Sequence, residues 1–155
     1  MTRSASLLSL ALVCGMIAFG LAMAQSPGAQ AARARKANFN TLLGAYKVVG
    51  DELKRSDPDL AAIRPAAARM DQMARQLPSW FPPGSGEESG ADTKAKPLIW
   101  TDPSGFRRKA SDLQSAVSQL DAAAQKGDLQ RLRAAQRTVS TACNACHEVY
   151  EERFW

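Results

Sequence analysis

Residues 128–150 have the sequence DLQRLRAAQRTVSTACNACHEVY, close to the carboxyl end of a chain of 155 residues. Apolar side chains recur here at the three-, four- and seven-residue steps that are typical of one face of a packed helix. That face contains Leu129, Leu132, Val139, Cys143, Cys146 and Tyr150. Two cysteines therefore occupy positions where a packed helix normally carries core residues.

The segment 143–147 has the pattern C-x-x-C-H, which is typical of covalent haem attachment. Two thiols must each add to one haem vinyl group, and a neighbouring imidazole must reach the iron. Positions i, i+3 and i+4 of a helix share one face, so Cys143, Cys146 and His147 can serve one haem together. His147 is also the single histidine of the chain. The pattern predicts one haem c, covalent through both cysteines, inside the bundle rather than on its surface.

Other interpretations of the two cysteines stay open. A thiol–disulfide oxidoreductase would carry C-x-x-C at a strand-to-helix junction, and no strand pattern precedes this motif. A structural zinc site needs four ligands, so it would require a second chain. A plain disulfide between Cys143 and Cys146 is compatible with an oxidising compartment. A haem-free helical interaction module is a further alternative.

Residues 1–24 are typical of a secretory signal peptide. Arg3 supplies a positive start, residues 7–21 form an uncharged and mostly apolar run, and residues 22–24 form an A-x-A cleavage site. The run is short for a membrane span, although an uncleaved anchor is the alternative. Cys14 lies inside this run and is predicted to be removed with it. We therefore expect a periplasmic protein.

The remaining residues, 25–155, are enough for one domain with one core. The chain has 20 basic and 15 acidic residues, and the leader removes only Arg3, leaving 19 against 15. The charges are interspersed, with no basic patch interleaved with aromatic residues, so we predict no nucleic-acid binding. We also expect no membrane association after cleavage. An acidic redox partner is compatible with this balance, but the sequence does not identify one.

Four amphipathic segments without a strand pattern predict an all-α, antiparallel, up-down-up-down four-helix bundle. The first helix is expected over residues 31–55, with an apolar stripe. The second is expected to begin at Pro58 with Asp57 as its N-cap. The predicted stripe of the first helix contains Phe39, Leu42, Leu43, Tyr46, Val49 and Leu53.

The third and fourth helices have clearer boundary signals. Asp102 and Pro103 are predicted to start the third, Gly127 to end it and Asp128 to cap the fourth. A long connection, residues 78–101, precedes them, and we expect the aromatic residues at its two ends to pin it to the core.

Met70 and Met73 are the methionines that remain after leader cleavage. They are the available thioether ligands of the mature chain. Either one on the iron would give a low-spin, six-coordinate electron carrier, whereas core packing is the simpler interpretation of both.

The chain resembles the cytochrome c′ family across its mature region. The resemblance depends on the C-x-x-C-H near the C-terminus and on an arginine, Arg35, four residues before Phe39 in the first helix. It also depends on the connection, where residues 81–86 read FPPGSG and residues 93–100 read TKAKPLIW.

The resemblance implies a role for each of these residues. Cys143 and Cys146 would form the thioethers, and His147 would be the proximal axial ligand. Arg35 would pair with a haem propionate, and Phe39 would stand over the open face of the iron. From the residues alone, a solvated helix face is the simpler interpretation of Arg35.

Since phenylalanine has no lone pair to donate, the resemblance implies five-coordinate, high-spin iron beneath an apolar cap. It further implies binding of NO and CO, one-electron transfer and no enzymatic activity. Family members often dimerise through their first two helices, which implies a homodimer here.

One position departs from the family pattern. The family usually carries Arg or Lys four residues after the proximal histidine, and this chain has Glu151. A carboxylate near the imidazole is expected to increase ligand basicity and lower the reduction potential.

Overall fold

The computed structural model describes residues 26–152, so the leader predicted at 1–24 lies outside the described residues. Its helices are α1 (Pro27–Leu53), α2 (Leu60–Gln76), the single turn α3 (Leu98–Thr101), α4 (Pro103–Lys126) and α5 (Leu129–Tyr150). Two 3₁₀ turns, Leu77–Trp80 and Glu87–Ser89, lie in the long connection between α2 and α3.

The four long helices form an antiparallel bundle. Helix α1 packs against α2, α2 against α4 and α4 against α5, while α5 returns to meet α1. Across residues 26–152 the β structure is limited to one isolated antiparallel bridge, between Ala95 and Glu151. The predicted fold class is confirmed. Within the same residues, no helix is both long enough and apolar enough to cross a bilayer.

The predicted boundaries of α4 and α5 are confirmed by their caps. The Asp102 Oδ1 atom accepts a hydrogen bond from the Gly105 N–H at 2.9 Å, and the Asp128 Oδ1 atom accepts one from the Arg131 N–H at 3.0 Å. Gly127 adopts φ 69°, the left-handed conformation that a helix C-terminus commonly requires.

The predicted start of α2 was wrong by two residues. The cap is Asp59, whose Oδ1 atom accepts from the Ala61 N–H at 2.8 Å, and not Asp57. The Asp59 N–H itself donates to the Glu52 Oε2 atom at 2.9 Å. Because Glu52 at the end of α1 holds Asp59 in place, the later aspartate caps the helix.

The predicted apolar stripe of α1 packs in or against the core, except for one residue. Leu42, Val49 and Leu53 are buried, whereas 64% of Leu43 is exposed. The packing partners of α1 on its core side, chiefly α2, leave the Leu43 side of the helix uncovered. Leu43 is therefore the residue of the predicted stripe that does not belong to the core.

The long connection is fixed at both ends, as its aromatic residues predict. Trp80 is buried, and the Trp100 Nε1–H donates to the carbonyl oxygens of Phe81 and Pro82 at 3.1 and 3.2 Å. The connection also has an anchor in its middle, because Ser85 is completely buried.

Candidate haem-binding site

Helix α5 carries the three motif residues in its last two turns. Cys143 and Cys146 are half-buried free cysteines that pack against the core, and 47% of the His147 side chain is exposed. Their spacing puts all three on one side of α5, with the thiols facing inward and the imidazole at the edge. This arrangement meets the requirement of two thiols and one imidazole serving a single ligand.

The thiols are in an environment that favours their neutral form. Burial raises the pKa of Cys143, and burial together with the nearby Cys143 raises the pKa of Cys146 to about 11. Thiol–disulfide exchange requires a thiolate, which forms readily only when the pKa is lowered. The surroundings of these cysteines therefore disfavour the oxidoreductase alternative.

Contacts between α1 and α5 bring Phe39 level with the motif. Arg133 donates to the carbonyl oxygen of Leu53, and the Gln136 Nε2 atom donates to the Tyr46 hydroxyl at 2.8 Å. The two helices run in opposite directions, so the register continues towards lower numbers on α1 and higher numbers on α5. Two turns, or about 10 Å, beyond the Tyr46–Gln136 contact, Phe39 on α1 and Cys143 on α5 reach the same height.

The seam between α1 and α5 is the most sparsely packed of the four seams of the bundle. Arg35, Phe39 and Leu43 follow one another at four-residue steps, so they share one face of α1. On this face Leu43 is 64% exposed and Phe39 is half-buried. Apolar side chains flanking a thin seam, with two thiols on its other wall, fit a flat and mostly apolar group such as haem.

Arg35 is buried, with 4% of its surface exposed, which contradicts the interpretation of this residue as part of a solvated helix face. Its Nη1 atom donates to the Ser85 Oγ atom at 2.9 Å and to the Trp80 carbonyl at 3.3 Å. Its Nη2 atom donates to the Ser85 carbonyl and to the Thr93 Oγ1 atom, both at 2.8 Å. The guanidinium also lies 4.6 Å from the centre of the Phe81 ring.

These contacts explain why the connection has a buried serine. Ser85 and Thr93 could not be predicted as partners of Arg35, because they lie 50 and 58 residues away along the chain. The ion pairs within residues 26–152 do not include Arg35. Burial lowers the pKa of Arg35, and Glu88 partly offsets this effect. A buried cation of this kind fits a ligand that carries carboxylates, as haem does.

A chain of aromatic rings joins Phe39 to the end of α5. The Phe39 ring packs edge-on against the rings of Trp80 and Phe81, with the ring centres 5.2 and 6.2 Å apart. The ring of Phe81 packs in turn against that of Phe106, with centres 4.8 Å apart, and the Phe106 ring packs against that of Tyr150, with centres 5.5 Å apart. Tyr150 is three residues beyond His147, so these edge-to-face contacts connect both walls of the seam to the long connection.

The two methionines lie elsewhere in the bundle. Met70 and Met73 are buried in the core, with 1% and 3% of their surfaces exposed. They belong to α2, which packs mainly against α1 and α4, whereas α5 packs mainly against α4. In this order around the bundle, α2 is diagonally opposite the helix that carries the motif.

A family model described as Cytochrome C′ matches residues 30–151. Cytochrome c-554 of Cereibacter sphaeroides is 35% identical over 115 residues, which cover 72% of this chain and 86% of that protein.

Solved structures agree with this match. The crystal structure of cytochrome c′ from Rubrivivax gelatinosus superposes with a TM-score of 0.74 at 28% identity, covering 81% of this chain and 97% of that one. A ferrous variant of cytochrome c prime from Alcaligenes xylosoxidans with bound NO gives a TM-score of 0.73 at 27% identity, covering 82% and 97%. The chain thus belongs to the cytochrome c′ family, whose members carry covalently bound haem c.

Proposed function

We propose that this protein is a periplasmic c-type cytochrome with five-coordinate, high-spin iron, which binds NO and CO and transfers single electrons. When bound, haem c supplies an iron that alternates between the ferric and ferrous states and can take up a small gas. The signal peptide predicted at residues 1–24 supports export. The role is binding and electron transfer, not catalysis of a chemical reaction.

The two helices that line the seam, α5 and α1, contribute different interactions with haem. Cys143 and Cys146 would hold the haem by thioether bonds, and the His147 imidazole would bind its iron. On the opposite wall, Arg35 offers its guanidinium to a propionate. The family match and the burial of Arg35 without a carboxylate partner support these roles.

The proposal that one face of the iron carries no protein ligand is supported above all by Phe39, the residue of α1 that lies opposite the motif. Phe39 reaches the height of Cys143, and its phenyl ring has no lone pair to donate to iron. His147 is the only histidine of the chain, and both methionines are buried in α2, away from α5. These observations favour five-coordinate iron over the six-coordinate electron carrier.

The apolar character of this face determines which ligands suit it. Phe39 is held edge-on by Trp80 and Phe81, so its ring is fixed in place and would obstruct ligands larger than a diatomic molecule. A phenyl ring also lacks a hydrogen-bond donor that would stabilise bound oxygen. NO and CO depend less on such a donor, and they are therefore the expected ligands.

An optical titration of the purified ferrous protein with CO and with NO tests the proposal. We expect a high-spin spectrum that shifts with each gas. A methionine-type charge-transfer band near the red end of the spectrum, with no change on adding CO, would instead support the six-coordinate alternative. Material with no haem absorption would overturn the whole proposal.

We also propose a homodimer through α1 and α2. Val48 on α1 is 41% exposed, so it is an apolar side chain of this helix that a second copy of the chain would cover. Sedimentation of the wild type and of Val48→Glu tests this assembly. We expect a dimer that the substitution dissociates, and a monomeric wild type would exclude it.

A further inference from the structure

A side-chain contact at the C-terminal end of α5 is not used by the proposed function. The His147 Nδ1 atom lies 3.2 Å from the Glu151 Oε2 atom, one helical turn further on. A histidine that binds a metal through one ring nitrogen commonly donates its other N–H to a carboxylate or carbonyl. The Glu151 carboxylate lies close enough to reach that N–H.

The backbone of Glu151 is fixed, although it follows the end of a helix. Glu151 is extended, with φ −114° and ψ 135°, and it forms the isolated bridge with Ala95. The Lys96 N–H donates to the Tyr150 carbonyl at 3.0 Å, and the Glu152 N–H donates to the Lys94 carbonyl at 2.8 Å. The connection between α2 and α4 therefore holds the end of α5 in place.

The side chain of Tyr150 anchors the same end from a second direction. Its hydroxyl donates to the Asp102 Oδ2 atom at 3.1 Å, and its ring packs edge-on against Phe106. Because the preceding residue, Tyr150, is fixed and Glu151 itself is paired with Ala95, the backbone at Glu151 is held in one orientation. The carboxylate reaches His147 because these contacts prevent the last turn from fraying.

We propose that Glu151 is a positioning residue for the haem-binding histidine, and this inference rests on the proposed function. By accepting the Nδ1–H hydrogen bond, its carboxylate orients the imidazole and increases electron donation through the other ring nitrogen. Greater donation stabilises the ferric state and lowers the reduction potential. The side chains of His147 and Glu151 are 47% and 37% exposed, so solvent screens part of the effect.

The experiment compares the haem-loaded wild type with Glu151→Gln and Glu151→Lys. Glu148→Gln is the matched control, because it removes the same charge from an exposed position that does not face the His147 side of α5. Two quantities are measured for each protein: the midpoint reduction potential and the iron–histidine stretching frequency of the ferrous form by resonance Raman spectroscopy.

We expect Glu151→Gln to favour the ferrous state by about three- to tenfold, and Glu151→Lys to favour it more. A tenfold change corresponds to 59 mV for one electron. The iron–histidine frequency should fall in both variants and stay unchanged in Glu148→Gln. A purely structural role would leave this frequency unchanged.

The inference is overturned if both Glu151 variants keep the wild-type frequency, or if Glu148→Gln shifts the potential as far as Glu151→Gln does. Failure of the proposed function has a different signature. In that case the wild type lacks haem, or its ferrous form lacks an iron–histidine band of a five-coordinate haem.

Discussion

The two walls of the seam that we assign to haem are built in different ways. On α5, the cysteines and the histidine lie within five consecutive residues, and the helix alone brings them together. On α1, Arg35 acquires its surroundings from Trp80, Ser85 and Thr93, which belong to the long connection. The first wall depends on local spacing, whereas the second depends on the folded chain.

The largest effect, complete loss of haem, is expected from substituting the two cysteines of α5. Replacing both Cys143 and Cys146 by serine removes the two atoms that form covalent bonds to haem. We expect the intact mass of the exported variant to lack haem completely, while the wild type carries one. Replacing only one of the two cysteines should leave a single covalent bond. Haem that stays covalently attached in the double variant would contradict the assignment.

The next effect concerns the ligation of the iron. Phe39→Met places a thioether on the α1 face that we assign to the open side of the iron. We expect a change from a high-spin to a low-spin spectrum and a weaker response to CO. Leu42→Met is the matched control, because Leu42 is 8% exposed and faces the core. If both variants keep the wild-type spectrum, Phe39 does not face the iron.

Arg35→Ala tests the contacts that α1 makes with the long connection. The substitution leaves the buried Ser85 without its charged partner, and hydrogen bonds to charged groups contribute about 1.5–3 kcal/mol each. We expect the free energy of unfolding in urea to fall by about 2–3 kcal/mol, with faster proteolysis in the connection.

The exposed Arg33 on the same helix supplies the control, and Arg33→Ala should change stability by less than about 0.5 kcal/mol. Arg35→Lys keeps the charge but replaces the planar fork with a single ammonium group, so it should restore only part of the loss. Equal stabilities of Arg35→Ala and Arg33→Ala would show that the buried contacts contribute nothing.

The smallest loss of stability is expected from substituting Leu43, and the same substitution at the neighbouring Leu42 provides the comparison. Leu42→Ala leaves a cavity in the core and should cost about 2–5 kcal/mol when introduced into the haem-free variant in which both cysteines are replaced by serine. Leu43 is 64% exposed, so Leu43→Ala should cost about 1 kcal/mol or less in the same urea titration. Equal losses would indicate that Leu43 is an ordinary core residue, as its apolar periodicity suggests.

The contrast between the walls also explains how far the sequence could predict the molecule. The bundle, the caps at Asp102 and Asp128 and the inward cysteines of α5 follow from periodicity and local hydrogen bonding. The exposure of Leu43 does not, because the periodicity of an apolar face does not distinguish a side covered by a helix from one that faces a ligand.

The partners of Arg35 were also beyond a sequence argument. A lone arginine on a helix usually extends into water, and no local pattern links it to a serine 50 residues away. The four-residue steps from Arg35 through Phe39 to Leu43 are the signal that could have identified this face. A core stripe at mixed steps of three and four residues stays on one side of the helix, whereas each successive four-residue step moves about 40° around it.

The central claim is that α5 holds the haem and that α1 leaves the other side of the iron open. A crystal structure of the haem-loaded ferric protein tests it most directly. We predict iron on the His147 imidazole, thioether bonds to Cys143 and Cys146, and the Phe39 ring on the opposite side with no protein ligand. A bond from iron to Met70 or Met73, or a disulfide between the two cysteines, would contradict the account.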